Sequence, residues 1–443
     1  MLILVGIFIL SLVQVFLPLS QSKMIIRGDG VGYYAYLRSL YFDHDLDFRN
    51  EFSYFESILP DKERPKTTQY LLGPSAKSGL IYNPWPIGPA ILWTPFFLIA
   101  HFLASIFGAP ADGYSLPYHL AIAFGSSCYA FIGLVIIYKI CRTYFSRAVS
   151  TLSILLLWFA SSVTAYMYFI TSMSHSCSLF TVSLFLYLWQ RSRDYRSLHT
   201  WVAMGAMIGL TTMIRYQDVF FGLIIPFEIL WKLTFKSASQ RKVEIKRQIL
   251  PLLIFGATSF VAFLPQMIVW KIIYGHFLVN VHYQSEGAHF HWTNPKLFET
   301  LFSAHHGLIS WTPVIGIGLI GLILLRKRDL MLTIAFSILF LVQLYIVASW
   351  DYWFQGAAFG GRMFISCGMI FAIGLAALVD RLKKSIPLWP LFLAGGLLTI
   401  WNYILLFQYG SGMISRSDPI SWLEVLKNIP TIIRLFCSKM ISL

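Results

Sequence analysis

Residues 116–147 read LPYHLAIAFGSSCYAFIGLVIIYKICRTYFSR. The part from Leu116 to Tyr138 is an apolar run long enough to cross the hydrocarbon core of a bilayer, which takes about 20 residues. Lys139, Arg142 and Arg147 close it with positive charge. The same pairing of apolar run and basic loop recurs along the chain. Further runs lie near 1–19, 148–170, 175–189, 200–214, 218–232, 249–273, 307–325, 330–349, 362–379 and 387–407. Basic clusters recur at every second loop: Arg191, Arg193 and Arg196; Lys232 to Arg247; Arg326 to Arg328; and Arg381, Lys383 and Lys384. Short loops rich in Lys and Arg stay in the cytoplasm. The loops at 171–174, 215–217, 274–306 and 350–361 and the tail after 408 then face outward. The expected fold is therefore an all-α integral membrane protein with about eleven transmembrane helices.

Composition agrees. Of 443 residues, 57% are hydrophobic and 12% charged, and the mean hydropathy is +0.66. Soluble domains carry about 25% charged residues. A net charge of +14 could suggest nucleic acid, but the basic residues sit in loops between spans, so no nucleic acid is expected. Cys128, Cys141, Cys177, Cys367 and Cys437 are scattered, without CxxC or His/Cys ligand spacing, which supports neither a disulfide framework nor a zinc site. The run 1–19 has no basic stretch before it and no clear cleavage site, and is read as a retained first span.

One polar segment stands apart. Loop 20–87 carries eight basic and eight acidic residues, and charge steers long loops weakly. Within it, residues 28–42 read GDGVGYYAYLRSLYF. Asp29 sits among glycines at the start of a helix in which Tyr33, Tyr36, Leu37, Leu40 and Tyr41 share a face, the pattern of a helix lying along the membrane. A lone acid at a membrane face suggests lipid-linked chemistry. The apolar stretch 88–107 holds Pro89, Pro95 and His101 and leaves two topologies open. If it crosses, loop 20–87 is cytoplasmic. If it lies in the outer leaflet, the loop is external. The segment 420–443 is expected to lie on the membrane surface.

The first loop, the aromatic-rich spans and the polar outer residues together resemble the GT-C superfamily of polytopic glycosyltransferases, in particular the protein mannosyltransferases and lipid A aminoarabinose transferases. Asp29 matches the acid that the family places early in its first outer loop, ahead of a membrane-parallel helix. YNPWPIGPAILW at 82–93 looks like the Pro-rich approach to a second such helix. The resemblance implies that 88–107 does not fully cross. It makes 20–115 a long first outer loop bearing membrane-parallel helices, within a polytopic domain 1–410 followed by an amphipathic tail 411–443. Where the family has a Lys before its Pro pair, this chain has Tyr82 and Asn83, and Lys77 is the nearest candidate. Where many members have a second acid, residues 171–176 read TSMSHS and offer His175.

The implied reaction moves a sugar from a polyprenyl-phosphate donor to a hydroxyl of an outer-face glycan, lipid or protein. It needs a base for the acceptor hydroxyl and cations for the leaving phosphate. Asp29 is the candidate base; its bland alternative is a helix N-cap. Arg215, in RYQD at 215–218, is a candidate phosphate ligand or the partner of Asp218. Arg362 follows WDYWFQGAAFGG at 350–361, where glycines admit a ligand and aromatics can stack on a sugar; it is a second candidate phosphate ligand, and Asp351 is a candidate partner for it. The HFH and HH pairs at 289–291 and 305–306 match no zinc motif, and DHDLD at 43–47 lacks the Gly and Glu of a calcium loop. The sequence names no certain cofactor, and a role for a divalent cation stays open. The expected location is a bacterial inner membrane, with the active site facing the periplasm. A transporter or flippase for a lipid-linked sugar is the alternative, against which stands the absence of repeat halves.

Overall fold

A computed structural model describes residues 2–19, 25–58, 78–281 and 287–441. Among these the chain is helical, with no strand and an isolated bridge between Phe290 and Trp350. Six helices are long and apolar enough to cross a membrane: Gly88–Phe107, Leu116–Tyr144, Ala238–Tyr274, Leu330–Ser349, Arg362–Leu382 and Leu388–Ser411. Length and apolarity do not reproduce the expected eleven. Three expected spans are interrupted by local geometry. The run 148–170 is the helix Arg147–Phe159 followed by a π-turn at Ala165–Phe169. The run 218–232 is a 3₁₀ helix, Tyr216–Leu223, leading into the helix Ile224–Thr234. The run 307–325 breaks at Thr312 ahead of Pro313, as the residue before a proline tends to leave the α region. The helix Gly88–Phe107 has the length to cross, so its length does not favour the outer-leaflet reading.

The chain divides into two compact units. The first comprises 1–136 and 166–289, the second 137–165 and 290–443. In the first unit the helix Leu198–Ile214 lies against Ala238–Tyr274 at a seam of small residues. A Cβ at Gly205 would collide with Thr258 and the Phe255 carbonyl, and one at Gly209 with the Ser259 carbonyl. Four-residue spacing of glycines lets two membrane helices approach backbone to backbone. The long helix starts with a capping box, in which the Ser237 hydroxyl accepts from Gln240 N and the Gln240 side chain accepts from Ser237 N. Near the basic loop, buried Glu228 meets Arg196 at 3.0 Å and Lys232 at 2.7 Å and accepts from the Trp189 indole.

The first loop is more deeply packed than a surface helix. In the helix Asp29–Arg38 every residue from Gly30 to Leu37 is buried, with Tyr34, Ala35 and Tyr36 sealed off completely. The expected single apolar face is not what its burial shows. Gly30 and Gly32 remove side chains where Ser172 and Trp85 press in, so the helix is enclosed on several sides. Beyond it, large apolar side chains become exposed, as at Leu40, Tyr41 and Ile58. In the second unit the helices Pro313–Leu324 and Gly368–Leu382 meet through Gly321 and Gly374. Ion pairs of Asp380 with Arg328 at 2.6 Å and Lys383 at 2.8 Å secure their basic ends.

Candidate active site

Asp29 opens its helix rather than capping it. Gly28 is the N-cap residue, at φ 57°, a left-handed conformation that glycine adopts without strain, and no side chain caps the helix there. The carboxylate therefore rides on the first helical residue, half-buried, beside the positive end of the helix. The backbone before it is tied to a distant loop. Arg27 N donates to Ser172 Oγ at 3.3 Å, and the Arg27 guanidinium donates to the Phe169 carbonyl at 3.2 Å. Gly30 lies so close to Ser172 that any side chain would overlap it.

The loop that holds Asp29 also holds two more predicted residues. Ser174 Oγ donates to Tyr33 Oη at 3.2 Å, one turn along the Asp29 helix. Arg215 Nη1 donates to Ser174 Oγ and approaches His175 Nδ1, each at 3.3 Å, and its Nη2 donates to Gln217 at 3.4 Å. Donation to Nδ1 requires the imidazole proton to sit on Nε2. His175 is buried against the edge of Tyr166, with ring centroids 4.6 Å apart. Arg215 reaches this position because the chain is extended there, at φ −151°, between the helix ending at Ile214 and the 3₁₀ turn starting at Tyr216. Its Nε is buried and without a hydrogen-bond partner, so the guanidinium has donor capacity left inside the protein. The carboxylate of Asp218, the alternative partner considered for Arg215, accepts from Ser178 Oγ at 2.5 Å.

Arg27 and Tyr33, on either side of Asp29 in the chain, are thus tied to the loop that meets His175 and Arg215 in the first unit. The organisers of this link, Ser172, Ser174 and Tyr33, are residues the sequence reading did not single out. The serine-rich string TSMSHS was the available signal, since closely spaced hydroxyls can bridge two helix ends. Asn83, standing where the family has a Lys, is buried and donates to the Gly32 carbonyl at 3.0 Å, a structural role. Lys77, and likewise Lys23, His282 and Glu286, lie outside the described residues.

Residues 96–270 match the family model described as dolichyl-phosphate-mannose-protein mannosyltransferase. That family is of the GT-C type, as is the resemblance read from the first loop and the aromatic spans, and the matched stretch covers less than half of the chain. His175 and Arg215 fall within the matched stretch, and Asp29 and Arg362 outside it. No curated protein matches the chain.

Arg362 lies in the second unit. It is buried, follows Gly360 at φ 58° and Gly361, and begins a 3₁₀ helix, Arg362–Cys367. Gln355 steadies the turn by accepting from Met363 N at 2.8 Å. Asp351, considered as its partner, lies 2.6 Å from His291 Nε2. The histidine pair is engaged by backbone, His305 with Ser417 O at 2.8 Å and His306 with Arg416 O at 3.1 Å. Among the described residues no group of three or more His, Cys, Asp or Glu side chains gathers at a metal-binding distance. The DHDLD segment forms polar contacts of its own: Asp43 pairs with Arg38, and Asp45 accepts from Ser39 Oγ at 2.8 Å.

Proposed function

We propose that this protein transfers a sugar from a polyprenyl-phosphate donor to a hydroxyl of a glycan, lipid or protein at the outer face of a bacterial inner membrane. The observation that carries the reading is the hydrogen-bonded connection from the start of the Asp29 helix through Ser172 and Ser174 to His175 and Arg215. It ties the helix that carries an acid to a loop that also meets a cation with spare donor capacity, and this supports a transfer that uses both charges. Asp29 accepts the proton of the acceptor hydroxyl as its oxygen attacks the anomeric carbon. The bond from that carbon to the phosphate oxygen breaks, and the electron pair leaves with the phosphate. Arg215 stabilises the charge that builds there by donated hydrogen bonds. His175, proton on Nε2, holds the guanidinium in place from the side. Displacement in one step inverts the anomeric configuration. Arg362 is read as a phosphate-binding cation of the second unit, supported by its burial behind two glycines. Lys77 is kept as a donor-binding candidate on the family resemblance alone.

The test is Asp29→Asn, which keeps size and polarity and removes the base. Transfer from a synthetic polyprenyl-phosphate sugar should fall by about 100-fold or more, the range for a lost general base, with insertion and melting temperature unchanged. Undiminished transfer by the variant overturns the assignment. Transfer by purified protein without an ion or proton gradient separates the enzyme from a transporter.

A further inference from the structure

A cavity of about 270 Å³ opens in the second unit, away from Arg362, lined by His291, Asn294, Lys296, Trp350, Asp351 and Trp353. Its wall is built, although it lies on a loop. His291 N donates to the Ser349 carbonyl at 2.5 Å and Lys296 N to the Ala348 carbonyl at 2.8 Å, both at the end of the helix Leu330–Ser349. Tyr345 Oη donates to the Trp292 carbonyl at 2.6 Å, and Trp292 stacks between Phe290 and Tyr345 at 4.8 and 5.9 Å. The bridge between Phe290 and Trp350 closes the strap. Residues 290–296 are thus fixed by backbone hydrogen bonds and ring packing rather than left to swing.

The lining chemistry limits what fits. Two indoles offer flat apolar faces. Asp351 accepts hydrogen bonds, Lys296 donates them, and Asn294 does both. The carboxylate is oriented by His291 at 2.6 Å and is still 37% exposed, so a ligand can reach it. A wholly apolar guest would strand these polar groups. An anion would meet Asp351, and a cation would meet Lys296. A neutral ring with one apolar face and an edge of hydroxyls satisfies every element of the lining. The volume lies below the roughly 300–1,000 Å³ of sites that enclose drug-sized ligands, which restricts the guest to about one ring.

We propose that this cavity is a binding site for a single neutral monosaccharide unit, stacked on Trp353 or Trp350 and hydrogen-bonded through Asp351, Asn294 and Lys296. The inference does not need the transfer reading. It concerns other residues, and a sugar-binding site could serve a transferase or a transporter.

Saturation-transfer difference NMR on the full chain in lipid nanodiscs tests it, with methyl α-mannoside, methyl α-glucoside and methyl β-galactoside as probes and glucuronate as the charged comparison. At least one neutral glycoside should give a saturable signal. Asp351→Asn and Trp353→Ala should each weaken it by about fivefold or more, the loss expected for one hydrogen bond or one stacking contact. Trp353→Phe should restore part of the affinity, which a merely unfolded loop would not allow. Asp29→Asn should leave the signal in place. The absence of a saturable signal from all three neutral glycosides overturns the proposal. So does a signal that survives Asp351→Asn and Trp353→Ala, or one that vanishes in Asp29→Asn alone, which would put the sugar in the first unit.

Discussion

At the scale of single residues, the first unit uses charge in two contrasting ways. Arg215 is held by three different partners and still has a buried nitrogen to spend. Lysine offers a point charge in place of that planar fork, so Arg215→Lys should raise the KM for the lipid-phosphate donor by about tenfold, the worth of one charge-assisted hydrogen bond. Initial rates over a donor series check this, and an unchanged KM removes Arg215 from phosphate binding. Glu51 is the opposite case. It has no exposed surface, its Oε1 meets Arg38 at 2.7 Å, and its Oε2 is buried without a partner. Burial pushes its carboxyl up from 4.5 to about 7, against the pull of Arg38. A group raised on folding contributes stability that is complete below its unfolded value and is lost as the pH climbs through its folded value. The window is therefore pH 4.5 to about 7. Melting temperature should decline across it in the native protein and stay nearly level in Glu51→Gln, which fixes the neutral form. Equal declines in both would remove Glu51 as the cause. Neither behaviour was legible in the sequence. Arg215 was conspicuous as a charge between apolar runs, but two of its partners, Ser174 and His175, come from a loop some forty residues away. Glu51 looked like any acid in a polar loop until burial and Arg38, itself paired with Asp43 and lying over Tyr114, set its surroundings.

At the scale of elements, hydropathy found the runs but not their breaks. The long helices Leu330–Ser349 and Leu388–Ser411 follow directly from unbroken apolar sequence. The interrupted ones depend on tertiary packing, since a π-turn or a 3₁₀ turn is paid for by neighbours that the local pattern does not reveal. The helix Asp29–Arg38 shows the same limit. Its tyrosine spacing suggested one apolar face, whereas Ser172 and Trp85 fill the places left by Gly30 and Gly32. Small residues are also what bring Leu198–Ile214 against Ala238–Tyr274. Gly209→Val should therefore lower stability by about 1–3 kcal/mol, the usual cost of forcing volume into a packed seam. Gly256→Ala is its control. It lies on the same long helix with open space around its Cα, and should be neutral or slightly stabilising. Melting in detergent distinguishes them, and equal midpoints for the two variants would show that the seam does not bear on stability.

At the scale of the whole molecule, sidedness is the property that the sequence argued most directly and that the fold alone does not carry. The positive-inside bias makes basic clusters such as Arg241 to Arg247 an expected cytoplasmic marker, and the rest of the expected topology follows by alternation, except at one place. If the helix Gly88–Phe107 crosses, the first loop and Asp29 are carried to the cytoplasmic side. Its length and apolarity permit that, while the family resemblance implies the reverse. Asn50 is an exposed residue of that loop and Lys242 an exposed residue of the basic one. In a background without native cysteines, Asn50→Cys should react with an impermeant maleimide on intact cells. Lys242→Cys should react only after the membrane is opened. This pattern keeps Asp29 on the face that the proposed transfer needs. Protection of both positions until permeabilisation would place Asp29 in the cytoplasm, make Gly88–Phe107 a span, and remove the outer-face transfer reaction whatever the activity of Asp29→Asn.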